Sequence, residues 1–310
     1  MFAAFLATVL FALSVVFANR TTRMLGAIRA NFARVCVATI LLALWSHGFG
    51  QGLGGGGFAW FFLSGCIGFG VGDIALYQAL PRIGPRLTGL LVQCLAAPFA
   101  ALAEWLWIGT RLSPPQILAG TVILAGVAVA VAPDSRAPAP RRGFGVGIIC
   151  GVIAALGQGL GAVVSRKAYE VIAEGGQHVD GMTAAYQRIL GGLLLGTIPV
   201  LWFWAREHIQ RRERRGSVSA EPAAGSRAPA RGVAFWVLLN ALAGPTLGVG
   251  CYQWALATTP SGVVLPIVAT LPIAVIPFAY WLEGDRPTFR SIAGGLIAVA
   301  GAVALALMKP

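Results

Sequence analysis

Three charged residues stand where a chain this apolar should carry none. Asp73 closes the run Gly70-Val71-Gly72-Asp73 inside a long hydrophobic stretch, and Arg34 and Arg188 each lie well within another. A charge in lipid costs on the order of 3 kcal/mol or more, so each must pair, face water or do chemistry. A GxGD aspartate in a membrane points first to intramembrane proteolysis, in which two carboxylates share a proton and activate water. The partner is not there: Asp134, Asp180 and Asp285 fall in loops or at the ends of hydrophobic stretches. His47, His178 and His208 lie outside those stretches too, so no buried serine–histidine pair can be assembled. No catalytic residue is expected. Asp73, Arg34 and Arg188 are left with two readings, structural pairing or coupling to a substrate or proton.

Uncharged polar residues suggest binding instead. Tyr77-Gln78 and Tyr252-Gln253-Trp254 combine an aromatic face with amide donors and acceptors, and Gln93 and Gln158 add amides within other stretches. Rings stack on apolar ligands while hydroxyls and amides fix orientation. These seven are the candidate substrate contacts, against the plainer reading that they pack helices together. With Asn19 and Ser14 they suit a zwitterionic or neutral solute better than a multivalent anion. Glu104 and Glu283 fall near stretch ends, where solvated interfacial roles are expected. Pro98 in one stretch and Pro266, Pro272 and Pro277 in another should kink their helices and let them act as gates. The five cysteines are scattered singly with no CxxC, so neither a metal site nor a disulfide frame is suggested, and no cofactor is expected. Gly157-x-Gly159 lacks the spacing and strand of a dinucleotide loop, and no GxxxxGK[ST] element exists.

The elements that must position these residues follow from hydropathy. Over 310 residues 57% are hydrophobic and 11% charged, with a mean hydropathy of +0.77. Apolar runs fall at 2–19, 25–46, 58–80, 87–108, 115–132, 143–164, 182–204, 233–257, 262–282 and 291–308. Each is near the roughly 20 residues that a helix needs to cross a bilayer. Unpaired backbone groups are not tolerated there, so the fold is expected to be all-α.

The runs also repeat. Adding 175 takes Tyr77-Gln78 to Tyr252-Gln253, Pro85 to Pro260 and Gly126 to Gly301; adding 154 takes Arg34 to Arg188. Each copy holds five spans, an odd number, so the second must cross in the opposite sense. The expectation is ten transmembrane helices as two inverted five-helix repeats, 1–137 and 138–310, around a central cavity. That pattern points to a secondary transporter.

A net charge of +12 would suit nucleic acid were it not sorted by loop. Alternate loops hold seventeen of the basic residues and the opposite set, with the C-terminus, four. This is the positive-inside bias, and it places both termini on the outer face. The flexible basic loop 206–231 should begin as a charged continuation of the seventh helix, with the Arg211–Arg215 cluster on anionic lipid, and end in a disordered Ser/Ala/Pro/Gly tract; Gly52–Gly57 should form a second flexible loop. Tryptophans at span ends form an interfacial belt. The partners expected are a small-molecule substrate and the lipid bilayer, not nucleic acid, and ten helices can enclose a cavity as a monomer.

The ordered series resembles the drug/metabolite transporter superfamily and its ten-helix EamA-type exporters. The resemblance rests on Arg34 and Arg188, on Tyr77-Gln78-Ala79-Leu80 and Tyr252-Gln253-Trp254-Ala255-Leu256, and on the Pro98 and Pro272 spans. The turns Gly109-Thr110-Arg111-Leu112 and Glu283-Gly284-Asp285-Arg286 add to it. It implies gradient-linked export of small metabolites from a cavity lined by the first, third, fourth, sixth, eighth and ninth spans. Within the family the chain looks nearest to amino-acid exporters, including an aromatic amino-acid and methyl viologen exporter. Two features depart from the pattern: Thr110 and Asp285 follow the glycines where the family's turn has Glu, and the charge count puts the termini outside.

Overall fold

A computed structural model of the chain describes residues 2–108, 113–131, 142–216, 230–258, 267–268, 270–284 and 286–308. They are helical, with no strand among those described. The helices are α1 Phe2–Leu25, α2 Ala27–Gly48, α3 Phe58–Gly65, α4 Asp73–Ile108, α5 Pro114–Val131 and α6 Phe144–Glu174. They continue as α7 Gly181–Gly216, α8 Ala230–Ala241, α9 Leu247–Thr258, α10 Leu271–Glu283 and α11 Phe289–Leu307. Two wider, π-helical turns join consecutive pieces: Cys66–Gly72 runs from α3 into α4, and Leu242–Thr246 from α8 into α9. Among the described residues six helical stretches are long and apolar enough to cross a membrane.

Packing is close because small residues line the contacts. The segment on which α4 meets α6 shows the limit: a Cβ added to Gly157 would come 2.6 Å from the Gly72 Cα, so neither helix can retreat or grow a side chain there. That contact holds Asp73 against α6. Elsewhere α2 packs on α7, α5 on α11, and α1 on α9 and α10.

The break in the long helix α4 is at Gly84, whose φ of 78° and ψ of 168° are not helical. Pro85 follows, and the residue before a proline is pushed out of the α region, so a glycine there can turn the chain sharply. The corner therefore falls at Gly84 rather than at the expected Pro98, which lies within the helical part of α4. Pro272 sits in the first turn of α10, where its missing N–H would have had no partner anyway, and Pro277 lies inside that helix. Pro266 is outside the described residues.

Residues 206–216 continue α7 as helix, the expected charged continuation of the seventh span, and 217–229 lie outside the described residues. Two expectations about the loops and ends change. The Gly52–Gly57 loop is fastened: Gln187 Nε2 donates to the carbonyls of Gly52 (3.1 Å) and Gly54 (2.8 Å), and Gln51 Nε2 to that of His178 (2.7 Å). Glu283 is not solvated. Its side chain is 4% exposed, bonded to Asn19 Nδ2 at 2.7 Å and ion-paired with Arg23 at 2.9 Å, because the end of α10 tucks against α1. The tryptophans at positions 45, 105, 107, 202, 204 and 281 stay exposed, as interfacial anchors must. Arg20 lies over the Trp236 ring at 4.2 Å and Arg206 over Trp202 at 3.7 Å, basic heads held at the same level as the indoles.

Candidate functional site

Arg34 and Arg188 each stand seven residues past the first residue of their helix, Ala27 of α2 and Gly181 of α7. At 1.5 Å per residue this is about 10 Å into the helix, in two helices that pack on each other. Both arginines are 6% exposed, and Asp73 beside them is 3% exposed. The glycine-rich π turn Cys66–Gly72 feeds Asp73 into this layer.

The first arginine has a carboxylate partner, although its buried Nε lacks an acceptor. Arg34 Nη2 donates to Asp73 Oδ2 and to Asn31 Oδ1 (3.1 Å), and its guanidinium lies 5.0 Å from the centre of the Tyr77 ring. Gln158 Nε2 reaches the other oxygen of Asp73 at 3.4 Å. Behind Tyr77, Asn240 Nδ2 donates to its hydroxyl at 2.6 Å, and the Ser14 hydroxyl donates to Asn240 Oδ1 at 2.9 Å. One polar network thus ties α1, α2, α4, α6 and α8 together. Breaking a buried ion pair by removing one partner costs about 3–5 kcal/mol, because the survivor is stranded.

The second arginine has no such partner among the described residues. Arg188 rests with its guanidinium 5.5 Å from the Phe69 ring centre, and Tyr252, Tyr169 and Asp73 lie within electrostatic reach of it. Among the described residues none bonds to it through a carboxylate or carbonyl, and its buried Nε lacks an acceptor. Beside it the Tyr169 hydroxyl donates to Gln253 Oε1 at 2.7 Å, while Gln253 Nε2 is buried without an acceptor. The repeat explains the imbalance. The offset of 175 carries Asp73 to Gly248, and the offset of 154 carries Asn31 to Ala185, so the second copy kept the guanidinium and lost both partners.

The structure therefore brings together Asp73, Arg34, Arg188, Tyr77 and Gln158, with Tyr252 and Gln253 on the Arg188 side. It does not bring in the rest. Gln78 accepts from Arg82 Nη1 at 2.9 Å, within its own helix. Gln93 is half-buried with no hydrogen bond among the described residues. Trp254 is 54% exposed on the same face of α9 as Leu247, away from buried Gln253. A cleft of about 80 Å³ between α4, α10 and α11, bordered by Arg86, Leu90, Pro272, Ile276 and Ser291, includes none of the polar candidates.

Sequence reasoning missed Asn31, Asn240 and Tyr169. The first two are polar residues in apolar runs, but their repeat mates, Ala185 and Gly65, are not, so a search for recurring residues passes over them. Tyr169 lies beyond the expected end of its span at 164, in the part of α6 that runs on to Glu174. Among the described residues no three His, Cys, Asp or Glu side chains could hold a metal.

Comparison with known proteins adds three findings. The model of the EamA-like transporter family matches residues 1–132 and 145–307. A Pseudomonas aeruginosa protein described as "Uncharacterized protein PA1977" is 36% identical over 103 residues, 33% of this chain and 35% of that one. The chain thus matches about a third of that relative's length. A solved crystal structure of a protein is similar with a TM-score of 0.57 over 97% of this chain and 95% of that one, at 16% identity, a likeness of fold.

Proposed function

The chain belongs to the EamA-like transporter family and is a multi-pass membrane transporter of small molecules, and from that premise we propose that it exports amino acids, aromatic ones favoured, by alternating access. In this reading ten spans form two inverted five-helix repeats, 1–137 and 138–310, in the cytoplasmic membrane of the cell. Both termini lie outside and a single chain suffices. The observation that carries it is the meeting of repeat-equivalent arginines around one carboxylate, between helices of the two halves. A site shared by two inverted halves can be exposed to either side as they rock. Gln158, Tyr252 and Gln253 are the recognition residues beside that layer, with Asp73, Arg34 and Arg188 setting its charge and Tyr77 bracing Arg34. Bending at the Gly84 corner and in the proline-bearing helices α4 and α10 would let the halves move.

The test is counterflow. Purified protein in proteoliposomes, loaded with an unlabelled metabolite panel, is offered trace labelled phenylalanine, tryptophan, threonine and methionine. Uptake of the aromatic labels, reduced at least tenfold in Tyr252→Ala, is the expected outcome. Uptake of none of the labels by folded protein removes the amino-acid assignment. Uptake unchanged when the proton gradient is collapsed makes the protein an uncoupled facilitator of the same fold.

A further inference from the structure

Resting on that reading, we infer that Arg188 is the anchor for a single carboxylate of the transported solute, which takes the place that Asp73 holds at Arg34. The argument is one of charge and of unsatisfied donors. Arg34, Asp73 and Arg188 are the buried charges of this layer, two positive and one negative. Asp73 is committed to Arg34 and takes a further bond from Gln158. A buried guanidinium without a counter-charge of its own is costly, and the structure offers Arg188 the face of Phe69, the neighbouring tyrosines and the field of an Asp73 already bonded to Arg34.

Gly68 lies beside that guanidinium: a Cβ there would sit 3.5 Å from Arg188 Nη2, in ordinary contact. On this side two buried donors, Arg188 Nε and Gln253 Nε2, lack acceptors, as Arg34 Nε does on the other; the difference is that Arg34 has a carboxylate and Arg188 has none bonded to it. A carboxylate brings two acceptor oxygens and one negative charge, which balances the trio. A phosphate dianion would overshoot by one charge, and a neutral amide would supply an acceptor but no charge. The sequence agrees, since Gly248 and Ala185 are where the first repeat places the acid and the amide. An internal partner has been removed from one copy only. The solute class is therefore a monocarboxylate, zwitterionic amino acids included.

The experiment uses the full chain in lipid nanodiscs and probes matched but for the acid: phenylalanine against phenylalaninamide, and benzoate against benzamide. Phenylglyoxal, which modifies free guanidinium groups, is followed peptide by peptide by mass spectrometry. Arg188 should react while Arg34 is spared, and each acid, but not its amide, should protect Arg188 and raise the melting temperature. In Arg188→Gln the ligand-free protein should melt no lower than the parent, since a stranded charge has gone. Its affinity for the acid should fall on the order of 100-fold; Arg188→Lys should recover part of it. Inert Arg188, equal protection by acid and amide, no protection by either, or an acid response that survives Arg188→Gln would each overturn the inference. Counterflow separates it from the transport reading. Flux that ignores the acid removes the anchor and leaves the carrier, whereas acid-selective protection without flux of any solute removes the carrier and leaves the anchor.

Discussion

The two arginine sites are built on the same framework and finished differently. Around Arg34 the neighbours are polar: Asp73, Asn31 and Gln158 form one set of hydrogen bonds, and the Tyr77 ring in cation–π contact joins it to Asn240 and Ser14. Around Arg188 the same ladder of helix positions offers Ala185 and Gly248, with Phe69 and two tyrosines as company. A satisfied polar network rigidifies, while a half-satisfied one is costly unless something completes it. The contrast assigns the Arg34 half to holding the structure and the Arg188 half to responding to what enters.

The contrast breaks most visibly at its shared acid. Asp73→Asn should destabilise the protein by about 3–5 kcal/mol, read as a large drop in melting temperature, because it strands Arg34 beside an already unpaired Arg188. The double variant Arg34→Gln/Asp73→Asn should recover most of that loss, since the two residues act as a pair. Equal losses in the single and the double variant would mean that Arg34 is not balanced by Asp73. Next comes the helix contact beneath. Gly157→Ala places a methyl 2.6 Å from the Gly72 Cα and should cost about 1–3 kcal/mol by forcing α4 from α6. A melting temperature within a degree of the parent would show that the contact is loose.

Two tyrosines sharpen the comparison. Tyr77→Phe leaves Asn240 Nδ2 with only a weak alternative, the Thr21 hydroxyl at 3.5 Å, and should cost about 1 kcal/mol without altering the preference for acid over amide. Tyr169→Phe frees Gln253 Oε1 at a similar cost of about 1 kcal/mol, yet should change that preference at least threefold in counterflow competition. A preference moved equally by both variants would erase the division of labour. The smallest effect is expected at Trp254. Its exposed position predicts that Trp254→Ala alters stability by less than about 0.5 kcal/mol and aromatic counterflow by less than twofold.

How much of this could be read from the sequence depends on what kind of signal each feature leaves. Apolar runs and the doubled motif mark where helices lie, because lipid forces backbone groups to pair within a helix. Helix ends were unevenly legible: the charged continuation of α7 past its apolar run was readable, but α6 runs on unannounced to Glu174, since a helix need not stop where the bilayer does. Proline drew attention to Pro98, but the corner belongs to Gly84, where a glycine and the following Pro85 act together. At the site, recurrence located both arginines, Tyr77 and the Tyr252-Gln253 pair, but also Gln78, which bonds to Arg82 within its own helix. It was blind to Asn31 and Asn240 because their importance lies in having no counterpart. The missing acid was in plain view, as Gly248 opposite Asp73, but only to a reader comparing the copies for differences instead of agreements.

The π-helical turns carry one more consequence, best stated as phase. A regular helix is interrupted by a wider turn at 66–72, just before Asp73, and again at 242–246, just before Leu247. Such a turn adds a residue without adding a full step, so the helix on one side is rotated relative to the other by roughly 100°. Ser64, before the first turn, keys to the Gly161 carbonyl at 2.6 Å and to Ser165 at 2.8 Å, while Asp73, after it, keys to Arg34. The turn acts as a clutch between two fixed dials. Deleting one residue within 66–72 would re-engage them at a single setting, with Ser64 or Asp73 in register but never both.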